Sequence, residues 1–363
     1  MNISPVPPSA EPEAELYAFV GRLERRVHHY LRGRVDSAEQ VDHLRHVSER
    51  ARWLYLSELQ RADPEALPTL SRHESHLIEA CALSHDIGKW IPRADLHRLM
   101  PVPAQVDRST LDALRLGPNQ IDLLLLGIER RFRLSQDGYS AEYDAAHHLV
   151  SAYVLAADGE LEFQHLSEAD QAWLLKAIVG HQFGGYYKER LLQLSLNDTA
   201  ITTGMLTDVS RPEALAGDTL ASAFHDADLA DLLFIGSLRR NAQSQPAFHA
   251  GGLAKILLIN FALMLNAVPG APDDFEAVLH SCATTVNSVC QELLTPTAVQ
   301  NGLRWRERAS QFLQRLQQPA ARRRIETLLH ADSRSPVERL AELRQMINTH
   351  AVAFLTHGSG VTE

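Results

Sequence analysis

The chain has 363 residues, 45% of them hydrophobic and 22% charged, a length and balance sufficient to bury a core. Its formal net charge of −10 speaks against a protein that tracks a phosphate backbone, which needs a basic face; a nucleotide whose charge a divalent metal neutralises is still compatible. Three cysteines, Cys81, Cys282 and Cys290, have no CxxC spacing, which excludes a disulfide framework and suits a reducing compartment.

Residues 1–13, rich in Pro, Ser and Glu, read as a disordered arm, and Met1 to Pro8 lack the basic and apolar regions of a signal peptide. Helical spacing begins at Glu15, with Leu16, Phe19, Val20, Leu23 and Val27 on one stripe. Asp36-Ser37-Ala38-Glu39 offers a second helix start, continuing through Val41, Leu44, Val47, Ala51 and Leu54 to about Leu59. Pro64 and Pro68 mark a turn, and a helix is expected over Arg72–Ser84. Residues 90–140 hold prolines at 92, 101, 103 and 118 and one helical run, Ile121–Ile128, so they read as an irregular insertion. Helices resume over 141–156 and 168–180, the second closed by a turn at Gly184-Gly185-Tyr186-Tyr187. A less regular segment spans 196–218, followed by expected helices at 219–240, 251–267, 272–293, 299–317, 319–331 and 335–355.

Strand signals are sparse and no repeat is evident. The longest apolar stretch, Ile256–Val268, is interrupted by Asn260 and Asn266 and is shorter than the roughly 20 residues of a membrane span. The expected fold class is all-α and the expected location cytoplasmic, with no membrane partner.

His85-Asp86 is the sharpest chemical feature. An imidazole and a carboxylate at one helix end can converge on a divalent cation. The surrounding Ala80-Cys81-Ala82-Leu83-Ser84-His85-Asp86-Ile87-Gly88-Lys89 is an apolar helix that ends in ionisable groups, a costly arrangement unless a metal compensates them. The segment resembles the signature of HD-domain metal-dependent phosphohydrolases. That family orders a His on an early helix, the His-Asp pair, often two further His residues, and a late Asp.

This chain offers a residue for each place. In the family the first His precedes a Val by four, an Ala by eight and a Leu by eleven residues; His43 meets this with Val47, Ala51 and Leu54, and His46 fits less well. Ala145-Ala146-His147-His148-Leu149-Val150-Ser151-Ala152 resembles the next segment, in a register that selects His147 over His148. Lys176-Ala177-Ile178-Val179-Gly180-His181 resembles the segment of subfamilies with two metals. Asp228, in Ala227-Asp228-Leu229, is the late Asp, with Asp226 its rival and Asp231 either a supporting group or a solvated one.

The resemblance, over residues 38–240, implies an HD-type helical bundle across 14–250, interrupted by the 90–140 insertion and followed by a helical extension over 251–363. It implies metal ligands His43, His85, Asp86, His147, His181 and Asp228 for one or two divalent ions (Mn, Fe, Co, Mg or Zn), with Asp86 the natural bridge. Asp86 and Lys89 are the implied catalytic residues, Lys89 contacting a phosphoryl oxygen or the attacking water. Tyr186, Tyr187 and Lys188 could flank a base or phosphate, and Arg239 and Arg240 could contact an anion or follow a helix C-terminus.

The expected activity is hydrolysis of a phosphate ester or anhydride in a small nucleotide or dinucleotide. The same scaffold also hosts nucleases acting on single strands, di-iron oxygenases and non-catalytic nucleotide-binding regulators. Long nucleic acid is disfavoured by the acidity, and the C-terminal helices offer a surface for a homo-oligomer.

Overall fold

The computed structural model describes residues 11–34, 37–100, 108–134, 140–182, 184–196, 198–209, 212–240, 246–268, 271–331 and 333–357. In chain order the helices are α1 (Glu11–Leu31), α2 (Ser37–Ala62), α3 (Arg72–Ser84), α4 (Ile87–Trp90), α5 (Arg93–Leu99), α6 (Arg108–Leu114), α7 (Pro118–Arg133), α8 (Ala141–Ala157) and α9 (Glu168–Gly180). They continue with α10 (Gly184–Ser195), α11 (Thr203–Asp208), α12 (Thr219–Asp231), α13 (Gly252–Leu265), α14 (Phe275–Glu292), α15 (Pro296–Leu316), α16 (Pro319–Leu329) and α17 (Pro336–His357). One antiparallel hairpin, β1 (Gly236–Arg240) and β2 (Pro246–Ala250), pairs Gly236 with Ala250 and Leu238 with Phe248. The fold class is all-α, and no helix among the described residues is long and apolar enough to cross a membrane.

Short polar side chains set many helix starts by accepting otherwise unused backbone N–H groups. Ser71 and Glu74 form a reciprocal capping box at α3, with Glu74 N–H donating to Ser71 Oγ at 3.1 Å and Ser71 N–H to Glu74 Oε2 at 2.8 Å. Ser140 caps α8 at Tyr143 N–H, Ser167 caps α9 at Asp170 N–H, and Asp274 caps α14 at Ala277 N–H.

By their internal contacts the residues divide into two units, Met1–Ser37 with Val47–Ala227, and Ala38–His46 with Asp228–Glu363. The centre of the first unit is α8, with Ala141, Tyr143 and every residue from Ala145 to Leu155 buried. A helix apolar on all sides belongs inside, and α3 to α7, α9 and α10 all pack against it. Meanwhile α1 buries Leu16, Phe19 and Leu23 and packs on α3. In the second unit α13 takes the inner place, burying Leu253, Leu257 and Phe261 among α14, α17 and the hairpin. There α14 also packs on α15, and α16 on α17.

Several expectations need correction. The described part of 90–140 is helical: α5, α6 and α7 occupy it and pack on α8. Two of its prolines sit where helices begin, Pro92 at the N-cap of α5 and Pro118 in the first turn of α7; prolines 101 and 103 lie outside the described residues. Gly184-Gly185-Tyr186-Tyr187 opens α10 instead of forming only a turn, and the 196–218 segment contains α11. The helix expected over 219–240 ends at Asp231, after which the chain enters the hairpin. Helix α1 begins at Glu11, within the expected arm; residues 1–10 of that arm lie outside the described residues.

Candidate metal centre

The His-Asp pair is built by the end of α3. His85 is its C-terminal cap, still helical at φ −57° and ψ −36°, with its N–H on Cys81 O at 2.9 Å. Asp86 leaves the helix at φ −106° and ψ 5°, and α4 follows at once. Gly88 lets α4 lie on α8: a Cβ there would stand 2.4 Å from His147 O and 2.9 Å from Ser151 N, both backbone atoms that cannot swing away. In its place the Gly88 N–H donates to Ser151 Oγ at 2.9 Å, while Tyr143 OH donates to Gly88 O at 2.6 Å. These contacts press the His-Asp turn onto the part of α8 that carries His147. His181 arrives as the C-terminal cap of α9.

Three imidazoles in this unit are oriented alike. Nδ1 of His85 donates to Ala82 O at 2.8 Å, Nδ1 of His147 to Asp144 O at 2.6 Å, and Nδ1 of His181 to Ile178 O at 2.5 Å. A carbonyl only accepts, so Nδ1 of each ring carries a proton and Nε2 is left as the nitrogen that can bind a cation. Those Nε2 atoms converge on Asp86. His147 Nε2 is 3.2 Å and His181 Nε2 3.9 Å from Asp86 Oδ1, and His85 Nε2 is 3.8 Å from Oδ2.

His147 Nε2 and His181 Nε2 stand only 3.4 Å apart, and where both rings are neutral neither has a proton there to share. Two lone pairs facing each other repel, and a cation between them turns the repulsion into attraction. Donors bound to one divalent ion at about 2.1 Å lie about 3 to 3.4 Å apart, which matches the shorter of these separations. One donor atom from each of His85, Asp86 and His181 lies within 4.8 Å of the others, and all three residues are buried. The donor set therefore fits a metal.

The electrostatics suit the same reading. Burial works to raise the Asp86 carboxyl, but Lys89, His85 and His147 hold it well below the usual carboxylate range, so it is ionised. Lys89 Nζ lies 2.9 Å from Asp86 Oδ1 and 3.1 Å from Oδ2, with a third of its side chain exposed. His148, the alternative to His147, is fully buried beside it; burial and the neighbouring His147 and His181 push its imidazole well below the usual range. Tyr187, from the first turns of α10, places its ring 5.7 Å from that of His147.

The second unit holds an imidazole–carboxylate pairing of its own. His43 on α2 has Nδ1 2.9 Å from Asp231 Oδ2 and Nε2 3.3 Å from Asp228 Oδ1. Burial would lower its pKa, but the two carboxylates raise it to about 9. Asp226 instead pairs with its neighbour His225 at 3.0 Å in the first unit, both fully buried. Asp231 was legible in the sequence only as a carboxylate one turn beyond Asp228; its contact with His43 has no sequence signal.

Arg239 and Arg240 lie on β1, so they do not follow a helix end. Glu15, Glu162 and His165 also bring donor atoms together, but Arg22 already neutralises both acids, at 2.5 Å and 3.0 Å. Compared with known proteins, the chain matches no family model, no curated protein and no solved structure.

Proposed function

We propose that the chain is a metal-dependent phosphohydrolase that cleaves a phosphate ester or anhydride of a small nucleotide or dinucleotide. The observation that carries the reading is the convergence of three Nδ1-protonated imidazoles on the ionised Asp86, with His147 and His181 presenting lone pairs to one another. The order of these residues in the chain, which resembles that of HD-domain phosphohydrolases, supports the reaction class. The proposed ligands are those the resemblance implies: His43, His85, Asp86, His147, His181 and Asp228.

A divalent ion bound there would polarise a phosphoryl oxygen and lower the pKa of a water for attack. The chain's own groups supply the rest. Backbone carbonyls fix the three rings, so little ordering is left for the moment of binding. Asp86 contributes the negative charge that a cation requires. Lys89 restrains Asp86 and presents its exposed ammonium to a phosphate oxygen, compensating charge on the substrate.

Replacing a ligand tests this directly. His85→Ala and Asp86→Ala are each expected to lose bound metal and more than about a hundredfold in turnover, since even residues that merely support ligands are worth 10–100-fold. Circular dichroism should show the helical content retained. Metal analysis with a phosphate-release screen over nucleotides reads the outcome; full metal content and full activity in either variant overturns the assignment. Inertness toward every phosphate substrate, with oxygen consumed by the iron form, overturns the hydrolase reading in favour of an oxygenase.

A further inference from the structure

We infer that Asp231 is the positioning residue for His43, an inference that rests on the metal reading above. Of the four oriented imidazoles, three place Nδ1 on a backbone carbonyl; His43 places it on a carboxylate, at 2.9 Å. Asp231 is one turn beyond Asp228 on α12, so the two acids share a helix face and meet opposite edges of one ring.

The position is a poor one for a carboxylate of purely structural use. Asp231 is the last residue of α12, where the helix dipole disfavours negative charge, and it is only 2% exposed. Burial of an acid at the negative end of a helix needs a compensating interaction, and the His43 Nδ1–H provides it. The backbone is held as firmly as the side chain: a Cβ at Gly252 would stand 2.5 Å from Asp231 O, so α13 packs closely on the end of α12.

The consequence for His43 is chemical as well as steric. A carboxylate only accepts, so Asp231 keeps a proton on Nδ1 and leaves Nε2, the edge that faces Asp228, as the nitrogen that gives up its proton to a cation. Its charge also makes Nε2 more basic and a stronger donor to a cation. Asp231 touches neither substrate nor metal; it acts through His43.

The test uses the full-length chain stripped of metal and titrated with Mn2+ and Co2+ against a competing chelator. Asp231→Asn is expected to bind with unchanged stoichiometry and about 10–100-fold weaker affinity, and Asp231→Leu more weakly again, because the amide still accepts from Nδ1 and leucine does not. In a His43→Ala background, Asp231→Asn should change nothing further, since its route to the metal is already gone. Unchanged affinity in Asp231→Asn overturns the inference, as does a full additional loss in the His43→Ala background, which would mark Asp231 as a prop for the fold. A native chain that binds neither ion overturns the metal reading itself, and this inference with it.

Discussion

Asp218 shows how one carboxylate can serve two elements. It caps α12 by accepting Ala221 N–H at 3.0 Å, and it takes the Lys176 ammonium of α9 at 3.0 Å. Burial works to raise its pKa, but the Ala221 N–H, Lys176 and Trp173 together lower it. A depressed folded pKa stabilises the protein above the unfolded value of about 3.9, and that stability is lost as pH falls through the folded pKa. Asp218→Asn keeps the cap, since an amide oxygen also accepts, and is expected to cost about 0.5–1 kcal/mol at neutral pH through the lost ion pair with Lys176. The difference from the native chain should shrink in denaturant titrations below about pH 4; an equal difference at pH 3 and pH 7 would remove the charge from the account. At this scale the sequence discloses residue type and spacing, from which the family resemblance picked out His85, Asp86, His147 and His181, and the structure brings these four together. It does not disclose the direction of a side chain, and so Asp231 could equally have been a solvated group.

Elements were legible where side-chain chemistry and periodicity agreed. The capping box at Ser71 and the apolar run that follows delimit Arg72–Ser84, and Ser167 with its acidic first turn delimits Glu168–Gly180. They were illegible where a single residue type has two opposite uses. Proline breaks a helix from within but suits its first turn, where an N–H is not needed, so Pro92 and Pro118 mark starts inside a region that reads as irregular. Glycine likewise reads as a stop, yet Gly184 and Gly185 belong to the first turn of α10. The hairpin at 236–250 is too short for a period of two to stand out against the helix before it. The close approach of α4 to α8 gives the prediction at this scale. Gly88→Ala must push the two backbones apart, since its Cβ would stand 2.4 Å from His147 O, which is expected to cost about 1–3 kcal/mol and to weaken metal binding by moving His85 and Asp86 relative to His147. Thermal unfolding and metal titration of the variant check both, and an unchanged metal affinity would separate the packing from the site.

Across the whole molecule the charge of −10 bears on what can be bound. One basic run, Arg130-Arg131-Phe132-Arg133, is engaged internally: Arg130 pairs with Glu142 and Asp198, Arg131 lies over the Tyr143 ring, and Arg133 pairs with Glu129. A polymer-tracking enzyme needs several cations facing outward, and its affinity falls steeply with salt. Mononucleotides or dinucleotides are accordingly expected to be cleaved in preference to single-stranded DNA or RNA at near-physiological salt, with Mn, Fe, Co and Mg supplied in turn. Efficient polymer degradation alongside inert small nucleotides would reverse that choice.

The crowding of lone pairs around Asp86 has a bearing on how long the protein survives. Two neutral imidazole nitrogens 3.4 Å apart repel one another, and an ion in the gap would relieve that repulsion. The proposed ion would bind the native fold and have no comparable cage in the unfolded chain, so it would act as a folding ligand. By mass action, free metal at a thousand times its dissociation constant adds about 4 kcal/mol to the unfolding free energy. The melting temperature should then climb with the logarithm of free metal, and a chelator should lower it without any change in sequence. Abundance in a metal-starved cell would follow the same curve, making metal supply a determinant of the protein's lifetime as well as of its turnover.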